Sequence, residues 1–585
     1  MKKIFTLLFC LASLGASAQQ VNGGFDETWV NCVPWTSKGN TTAQGIQPVD
    51  WCVSNVAGMS LFAGLVGNTT IATQTIGVDD SGFAITLTNS PNSAVSSQYI
   101  PAYMTLGTTW NTAKSTITMS VSNQDGGTFG GKSFTYKPDG IKFKYKRSHG
   151  TADTDEPAVV TAYLWKGTWT QASVPGNTGL STTSVTMTNR DRNILGMGYS
   201  QGGTVTKTDD AKLLAYLKES SNKYVSIMGD ASEWTEFTYN FTYDDTESEP
   251  EMINIIIAAN DYFGGATAVG NGNSITVDNV ELIYNSSLSD LQFNGETISG
   301  FAKDTYEYTI DDGYTEGCIE FEKDCVGGKV EGHFEPSSNS YIITVQGDDY
   351  DSNPSNTHTY TVKFTKVIIN DGEDINEVGH ISGGTVVLNR TFKAGWNTVC
   401  LPFPVTAARL DSNSTVTTYT LSTPSGDAIT FSKTTSNIAK NTPFLANFPS
   451  EVNSITFTSR TINEDKTPLV KTCGDWTFTG SYEPSISMEG KWGVVNNGSK
   501  VRKGGAGSTL KSTRAYFEYN GTANVNEMRI IIDGEETTIT EIDGMPVGNF
   551  DVYNLQGVRV RQNVNSLDGL NKGIYIVNGK KHIVK

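Results

Sequence analysis

The chain has 585 residues, enough for about four domains of ordinary size, or fewer if they are large β-sandwiches. Its 61 acidic and 43 basic residues give a net charge of −18 without any notable basic run, which argues against nucleic acid and against an anionic membrane surface as partners. Aromatic residues reach 10% and charged residues only 18%, which excludes a largely disordered chain, and five histidines leave little material for zinc sites or His-based triads.

The first eighteen residues have the pattern of a secretory signal peptide. Residues 1–3 form a short basic head, residues 4–14 are apolar, and a small-x-small sequence ends at Ala18. Cys10 follows the bulky Phe9, which favours cleavage after Ala18 over lipid attachment at Cys10. No later segment has the roughly 18 uninterrupted apolar residues of a membrane span. We therefore expect a secreted, extracellular or outer-surface protein without a transmembrane segment.

Six cysteines follow the signal peptide and fall into three pairs along the chain: Cys32 with Cys52, Cys318 with Cys325, and Cys400 with Cys473. An even count in an oxidising compartment favours disulfides, so we expect bonds within the first and the last pair. If the residues between Cys318 and Cys325 form a strand, the pair spans about 23 Å. A disulfide allows only about 4.4–6.8 Å between Cα atoms, and this middle pairing stays open.

Short runs of alternating apolar and polar residues, ended by Gly, Asn, Asp or Pro, predict half-buried strands throughout the chain. Examples are Ala84–Thr88, Ile117–Val121, Ile141–Tyr145 and Tyr341–Val345. One helix is predicted over Asp209–Lys223, where leucines at 213, 214 and 217 recur at helical spacing behind a capping Asp209. The predicted fold class is therefore all-β, as multidomain β-sandwiches.

Closing strands and polar joints divide the chain into unequal units. The predicted units are 19–285, which ends with the strand Ser274–Tyr284; 286–366; a linker at 367–382; a β-rich unit of no assigned role at 383–536; and a small terminal unit at 540–585. No repeat with a period of 20–50 residues is present, which excludes a solenoid or propeller.

Tryptophan is concentrated in the first unit. Seven of the ten lie there, at positions 29, 35, 51, 110, 165, 169 and 234. Sugars stack their C–H groups on flat aromatic rings while polar side chains bind the hydroxyls, so exposed tryptophans on a rigid β-surface form a glycan platform. Each Trp can equally be a core residue of a large sandwich. The carbohydrate-binding candidates are Trp29, Trp35, Trp51 and Trp110.

Two acidic clusters are the candidates for carboxylate chemistry: Asp153, Asp155 and Glu156, and Asp244, Asp245, Glu247, Glu249 and Glu251. A glycoside hydrolase needs two carboxylates about 5–5.5 Å apart for retention or 6.5–9.5 Å apart for inversion. Both clusters lie beside prolines in polar stretches, which favours solvated loops, and calcium is an intermediate interpretation. No EF-hand, phosphate-binding loop, dinucleotide fingerprint or nucleophile elbow is found, and no catalytic residue or required cofactor is assigned.

Four stretches of the first unit have a familiar pattern: Asn22–Trp29, Gly140–Lys146, Trp234–Tyr239 and Val277–Val280. With them, residues 22–284 resemble the putative carbohydrate metabolism domain (PCMD) of secreted Bacteroidetes proteins, a jelly roll similar to carbohydrate-binding modules. The resemblance implies glycan handling and supplies no catalytic residues. In related jelly rolls an acid of the opening motif and one of the closing motif can hold a structural calcium, and the matching positions are Asp26 and Asp278.

Three further resemblances follow. With Leu288–Gly295, Phe301–Ile310 and Thr359–Phe364, residues 286–366 resemble the cadherin-like β-sandwich of bacterial surface proteins, which implies a spacer. Leu388–Phe403 is similar to a segment common in large secreted proteins of this group. Phe550–Gly557 and Leu570–Lys581 resemble the C-terminal sorting domain of type nine secretion, which implies the secretion machinery as a partner and removal of the tail after export.

The first hypothesis is therefore a non-catalytic, secreted or cell-surface glycan-binding protein, with the N-terminal unit as the binder. The second is a glycoside hydrolase that uses two carboxylates of that unit. The third is a structural or adhesive surface protein with a protein partner. Exposed tryptophans in a groove favour the first two hypotheses, and tryptophans that are all buried favour the third.

Overall fold

A computed structural model describes residues 21–34, 43–56, 69–92, 95–112, 125–150, 156–177, 182–198, 204–264, 269–406, 410, 416–424, 428–495, 500–522, 528–536, 541–542, 545–546 and 549–584. The expected signal peptide, Trp35, Asp153, Asp155 and the predicted strand Ile117–Val121 lie outside these residues. In the described part of the chain no helix is long and apolar enough to span a membrane.

The fold is nearly all β, which confirms the predicted class. The strands of the first half are β1 Val30–Asn31, β2 Ile46–Gln47, β3 Cys52–Val53, β4 Ala72–Ile76, β5 Phe83–Thr88, β6 Ser90–Asn92, β7 Val95–Ile100, β8 Tyr103–Thr105, β9 Thr108–Thr112, β10 Asp125–Phe129, β11 Lys132–Ser133, β12 Gly140–Ser148, β13 Ala158–Lys166, β14 Trp169–Asn177, β15 Thr182–Thr188, β16 Val205–Lys207, β17 Lys212–Leu217, β18 Val225–Ile227, β19 Ala231–Tyr243, β20 Met252–Ala258 and β21 Ser274–Ile283. The one α-helix of the described residues is the single turn α1, Asp191–Ile194.

The later strands are β22 Leu288–Phe293, β23 Glu296–Thr297, β24 Glu307–Gly313, β25 Ile319–Lys323, β26 Lys329–Glu335, β27 Ser340–Gln346, β28 Thr357–Asn370, β29 Ile381–Asn389, β30 Gly395–Val399, β31 Thr417–Leu421, β32 Ile429–Lys433, β33 Phe444–Phe448, β34 Ile455–Ile462, β35 Val470–Cys473, β36 Trp476–Ser481, β37 Ile486–Ser487, β38 Trp492–Val495, β39 Lys500–Lys503, β40 Thr509–Leu510, β41 Arg514–Tyr519, β42 Ile530–Ile532, β43 Glu535–Glu536, β44 Glu541–Ile542, β45 Met545–Pro546, β46 Phe550–Asn554, β47 Arg559–Val564, β48 Gly573–Val577 and β49 Lys580–Val584. Short 3-10 turns cover Val78–Asp80, Pro336–Ser338 and Ile375–Glu377.

The chain is divided into two compact units. The first contains residues 1–290, 322–330 and 345–358, and the second contains 291–321, 331–344 and 359–585. In the first unit one large antiparallel sheet has the strand order β3-β8-β20-β13-β17-β19-β12-β21-β5-β4, with β11 on β20 and β18 on β13. One apolar core of more than thirty buried or partly buried side chains, which we call the inner core, includes residues from most of these strands. This core fixes the sheet on which the candidate site lies.

The predicted helix at Asp209–Lys223 is wrong. Lys212–Leu217 is strand β17, which pairs with β13 and β19 inside the large sheet. Ala215 and Leu217 face the inner core, while Tyr216 belongs to a second apolar cluster on the other face. Because both faces are covered, apolar residues follow one another without alternation, and their spacing imitates a helix.

The second unit contains two further apolar cores. One includes Ile369, Ile375 and Val378, so the segment expected as a linker at 367–382 contributes to a core, and β28 continues to Asn370 in parallel pairing with β29. The other surrounds Trp476 and Trp492. The last four strands, β46–β49, form a separate small sheet.

The two expected disulfides are absent, because all six described cysteines are free thiols. Cys400 contacts the hydroxyl of Tyr482 in one core, whereas Cys473 lies in the other core and contacts the carbonyl of Ser422. Burial raises the pKa of the Cys32 thiol to about 12, and the charge of the neighbouring Cys52 adds to the increase. Strand β25 lies between Cys318 and Cys325, which is the condition under which the sequence spacing argued against a disulfide between them.

Candidate functional site

The candidate site lies on the outer face of the large sheet, at strands β8, β20, β13 and β17. Strand β13 is buried at eight of its nine positions, which means that both of its faces are covered. Leu164 faces the inner core, and Tyr163 and Trp165 lie in the outer cluster with Trp169 and Leu195. The chain that follows β13 therefore folds back over the outer face and builds a second layer there.

Buried polar groups join this second layer to the sheet. Asn254 of β20 is fully buried and accepts hydrogen bonds from the hydroxyl of Thr105 at 2.7 Å and from the N–H of Gly107 at 3.0 Å. Its amide donates to the hydroxyl of Tyr163 at 2.9 Å. A buried amide with its donors and acceptors used is costly to move, so the sheet and the loop after β8 form a fixed base.

Asp191, the first residue of α1, is the most deeply buried carboxylate of this layer, with 2% of its surface exposed. Its Oδ2 accepts the hydroxyl of Tyr262 at 2.6 Å and its Oδ1 accepts the N–H of Arg192 at 2.7 Å. Burial raises the pKa of Asp191, although Tyr262 and the neighbouring arginines partly oppose the shift. A Cβ at Gly127 would lie 3.1 Å from the Tyr262 hydroxyl, and Gly127 has φ of 144°, so glycine permits this close approach.

Arg190, the residue before the helical turn α1, holds this turn through buried contacts. It is fully buried, its guanidinium lies 4.6 Å from the centroid of the Trp110 ring, and it donates to Gln171 Oε1 at 3.1 Å. Asn193 Nδ2 donates to the same oxygen at 2.9 Å. The helical turn is thus held by cation–π and hydrogen-bond contacts, and Trp110 acts as their internal support.

Above this base lies a half-buried group of side chains that we call the aromatic patch: Tyr224, Tyr262, Phe263, Arg192 and Lys223. Tyr224 and Phe263 are stacked, with centroids 5.0 Å apart and planes at 27°, and Tyr262 meets Phe263 edge-on at 5.0 Å. Arg192 lies 5.3 Å from the Phe263 ring, and Lys223 donates to the carbonyl of Leu195 at 2.7 Å.

Two further acids act on the aromatic patch electrostatically. Burial raises the pKa of Tyr224, and the negative charges of Asp261 and Glu219 add to the increase. The patch thus combines apolar ring faces with cationic and anionic groups at its edge. Pockets that bind sugars need these two elements, rings for C–H groups and polar side chains for hydroxyls.

Of the four tryptophans selected from the sequence, the three that the structure describes, Trp29, Trp51 and Trp110, do not form a platform. Trp51 is 1% exposed, contacts Phe25 and donates to the carbonyl of Asn22 at 2.7 Å; Trp110 is 2% exposed under Arg190. Trp29 packs half-buried against the inner core and donates to the carbonyl of Phe25 at 3.0 Å. As binding surfaces, Trp51 and Trp110 are therefore excluded by burial.

Tyr224 and Phe263 are not among the candidates predicted from the sequence, because those candidates were chosen among the tryptophans alone. A usable signal was present: Tyr262 and Phe263 are adjacent aromatics in the loop that follows the buried strand β20, which ends at Ala258. Aromatics at loop positions on a rigid scaffold are more often available to a ligand than those within strands.

The two acidic clusters have different outcomes. Residues 244, 247, 249 and 251 of the second cluster are exposed, and Asp245 pairs with Lys212 at 2.7 Å, which confirms solvated loops. In the first cluster Glu156 is only 6% exposed, and its Oε2 accepts hydrogen bonds from Gly270 and Asn273, so the solvated interpretation is wrong for this residue. Glu156 also neighbours the buried Arg147, which explains why a carboxylate is tolerated there.

Asp26 and Asp278 come together at the turn between β4 and β5. Phe83 N–H donates to Asp26 Oδ1 at 2.7 Å, and Val78 N–H donates to Asp278 Oδ2 at 2.8 Å. Burial raises the pKa of Asp278, and the charge of Asp26 adds to the increase. Neither acid forms an ion pair with a basic residue in the described chain, although Asp278 is 3% exposed.

This donor set fits a hard cation in its chemistry. Asp26 Oδ2 and the amide oxygen of Asn279 both approach the position a Cβ would take on Gly24, at 3.7 and 3.9 Å. Among the described residues, no group of three or more His, Cys, Asp or Glu side chains is arranged so that it could hold a metal ion. A calcium here would therefore need further oxygen ligands from the main chain or water.

Comparisons with known proteins give little. No family model matches the chain, and no curated protein matches it. Among solved structures, a "putative glycoside hydrolase" from Bacteroides thetaiotaomicron VPI-5482 is similar over 45% of this chain and 72% of its own, with 14% identity and a TM-score of 0.27. Another so described, from Bacteroides vulgatus ATCC 8482, covers 45% and 98%, with 12% identity and a TM-score of 0.26. Similarity this low assigns neither a site nor a reaction.

Proposed function

We propose that the chain binds a carbohydrate at the aromatic patch without cleaving it. The stacked pair of Tyr224 and Phe263 carries this proposal, because two half-buried rings flanked by charged groups offer what sugar rings and hydroxyls require. Tyr262, which packs against Phe263, is hydrogen-bonded to Asp191, and the neighbouring Arg190 is held on the ring of Trp110. The rings are therefore held in place before a ligand arrives.

Binding is favoured over hydrolysis by the state of Asp191. It is hydrogen-bonded to Tyr262 of the aromatic patch, yet it is buried and both of its oxygens already accept hydrogen bonds. A hydrolase needs one carboxylate to donate a proton to the substrate and a second at a set distance. Asp191 is instead used to position Tyr262.

Titration calorimetry of the mature chain against a panel of plant and host polysaccharides tests the proposal. Replacing Phe263 or Tyr224 by Ala should weaken binding about tenfold, the effect of losing one good ring contact of about 1.5 kcal/mol. Trp234→Ala is the matched control. Trp234 lies on β19, away from the patch, and is half-buried beside Lys146 of β12. No binding to any glycan, or equal affinity in all three variants, would overturn the proposal.

Reducing-sugar release separates the two carbohydrate hypotheses. Release by the wild-type chain that disappears in Asp191→Asn or Asp261→Asn would identify a hydrolase instead of a binding protein. Binding without release supports the proposal as stated.

We also propose export to the cell surface or medium, with the tail as the sorting element. The support is that β46–β49 form a sheet of their own around Phe550, Val552 and Val577. A further proposal is that Asp26 and Asp278 hold a structural calcium, supported by two adjacent carboxylates without a basic partner in the described chain.

A further inference from the structure

Asp139 lies directly before β12, at a point where three segments of the first compact unit meet. Its Oδ2 accepts the N–H of Asn285, which follows β21, at 2.7 Å. Its Oδ1 accepts the N–H of Val326, from the loop between β25 and β26, also at 2.7 Å. Only 9% of Asp139 is exposed. A single carboxylate thus joins the beginning of one strand, the end of another and a loop about 190 residues further along the chain.

Neighbouring contacts reinforce the same junction. The N–H of Lys137 donates to Asp348 Oδ2 at 2.5 Å, which attaches the loop 345–358 beside the loop 322–330. Asn285 Nδ2 donates to the carbonyl of Asp324 at 2.9 Å, and Asp324 N–H donates to the carbonyl of Ser287 at 2.8 Å. Lys323 points its ammonium at the carbonyls of its own loop, with 2.7 Å to Gly328.

The charges around Asp139 are unbalanced. Burial raises the pKa of Asp139 to about 6, and the nearby negative charges of Asp324 and Asp348 add to the increase, while the two N–H donors oppose it. The other titratable or charged groups that face this junction are Lys137, Lys323, Glu249, Tyr136, Tyr243, Tyr284, Asp349 and Cys325. His358 contacts Ser286 nearby.

We propose that Asp139 and the two backbone amides it holds form a pH-sensitive clamp, which binds the loops 322–330 and 345–358 more tightly in mildly acidic than in neutral solution. When these segments separate, Asp139 meets water and regains its ordinary pKa of 3.8. The closed clamp therefore holds a proton that the open clamp releases.

The direction of the pH dependence follows from this difference in the pKa of Asp139. The closed state has the higher pKa, so its added stability is present in acid and is lost as the pH rises through about 6. With 3.8 for the open state and about 6 for the closed state, the opening equilibrium constant rises roughly tenfold between pH 5 and pH 7.5.

Hydrogen exchange with mass spectrometry on the full mature chain tests the clamp directly, because the amides of Asn285 and Val326 are the bonds in question. After correction for intrinsic exchange rates, peptides that contain them should be about tenfold more protected at pH 5 than at pH 7.5. Peptides from β13 serve as the internal reference and should show no such difference.

Two variants show whether Asp139 causes the difference in protection between pH 5 and pH 7.5. Asp139→Asn is neutral at both pH values and should abolish the difference, whereas Asp304→Asn, at an exposed acid, should retain it. If Asp139→Asn does not fold, Asp348→Asn replaces it: with one repelling charge removed, the tenfold difference should shrink. Equal protection at both pH values in the wild type would overturn the clamp. So would an unchanged difference in Asp139→Asn, which would assign the effect to another group such as His358.

Discussion

Tyr262 donates its hydroxyl proton to Asp191 Oδ2 at 2.6 Å, and this bond ties the loop after β20 to the helical turn α1. Phe263, the next residue, carries one of the two stacked rings of the aromatic patch. The half-buried rings of the patch therefore depend on a hydrogen bond to a buried carboxylate.

Asp191→Ala should destabilise the first unit by about 2 kcal/mol, because it leaves the Tyr262 hydroxyl without its acceptor and empties a buried position. Urea unfolding followed by circular dichroism measures this. Asp209→Ala removes an exposed acid of the same unit and should cost less than about 0.5 kcal/mol. Equal effects of the two changes would contradict the role given to Asp191.

Gly127→Ala should both destabilise the protein and weaken glycan binding. The new Cβ would lie 3.1 Å from the Tyr262 hydroxyl and 3.3 Å from Asp191 Oδ2, at a φ of 144° that residues with a side chain rarely adopt. Gly505→Ala is the control, since an added Cβ there would have no neighbour within 4 Å. Thermal unfolding and calorimetry should show a clear loss for the first variant and little change for the second.

Trp51→Ala and Trp234→Ala should separate core from surface. Trp51 is 1% exposed and hydrogen-bonded, so its removal should cost about 3–5 kcal/mol. Trp234 is half-buried with only a cation–π contact to Lys146, 5.0 Å from its ring, and should cost about 1 kcal/mol. A larger loss of stability at Trp234 than at Trp51 would mean that the burial described above is wrong.

Iodoacetamide at pH 8 should label neither Cys32 nor Cys400 in the native protein. Burial raises the pKa of both thiols to about 12, so only about one part in ten thousand is thiolate at that pH. After unfolding in urea without reductant both should be labelled, as read by peptide mass spectrometry. Failure to label in urea alone, with labelling once reductant is added, would reveal disulfides after all.

Calcium should raise the melting temperature of the mature chain if Asp26 and Asp278 hold it, because a ligand that binds only the folded state stabilises it. Asp278→Asn should remove the increase, while Asp304→Asn should not. Fluorimetric melting with 1 mM CaCl₂ against EDTA is the measurement; an identical shift in Asp278→Asn places any calcium elsewhere.

The strand pattern was readable from the sequence where one face of a strand is solvated. In β5, Ile85 and Leu87 are buried while Thr86 and Thr88 are half-buried. In β27, Ile343 and Val345 are buried while Thr344 is half-buried. The pattern failed at β17, where a second layer covers the outer face and removes the alternation. The pairing of Asp26 with Asp278 came from a resemblance, since nothing local connects residues 252 positions apart.

The aromatic patch could not be predicted from residue type alone. Seven of the ten tryptophans lie in the first unit, but Trp51 and Trp110 are buried inside it. Which aromatic faces outward depends on which loops fold over the sheet, and this depends on contacts such as Arg190 with Trp110 that only the folded chain defines.

The second layer over β13 has a consequence for how such proteins diversify. The inner core fixes the sheet through side chains such as Leu164, whereas the aromatic patch stands on loops that contribute nothing to that core. A change of ring at position 263 therefore alters packing in the outer cluster and leaves the inner core unchanged, so the outer layer can vary between descendants while the inner core keeps the sheet.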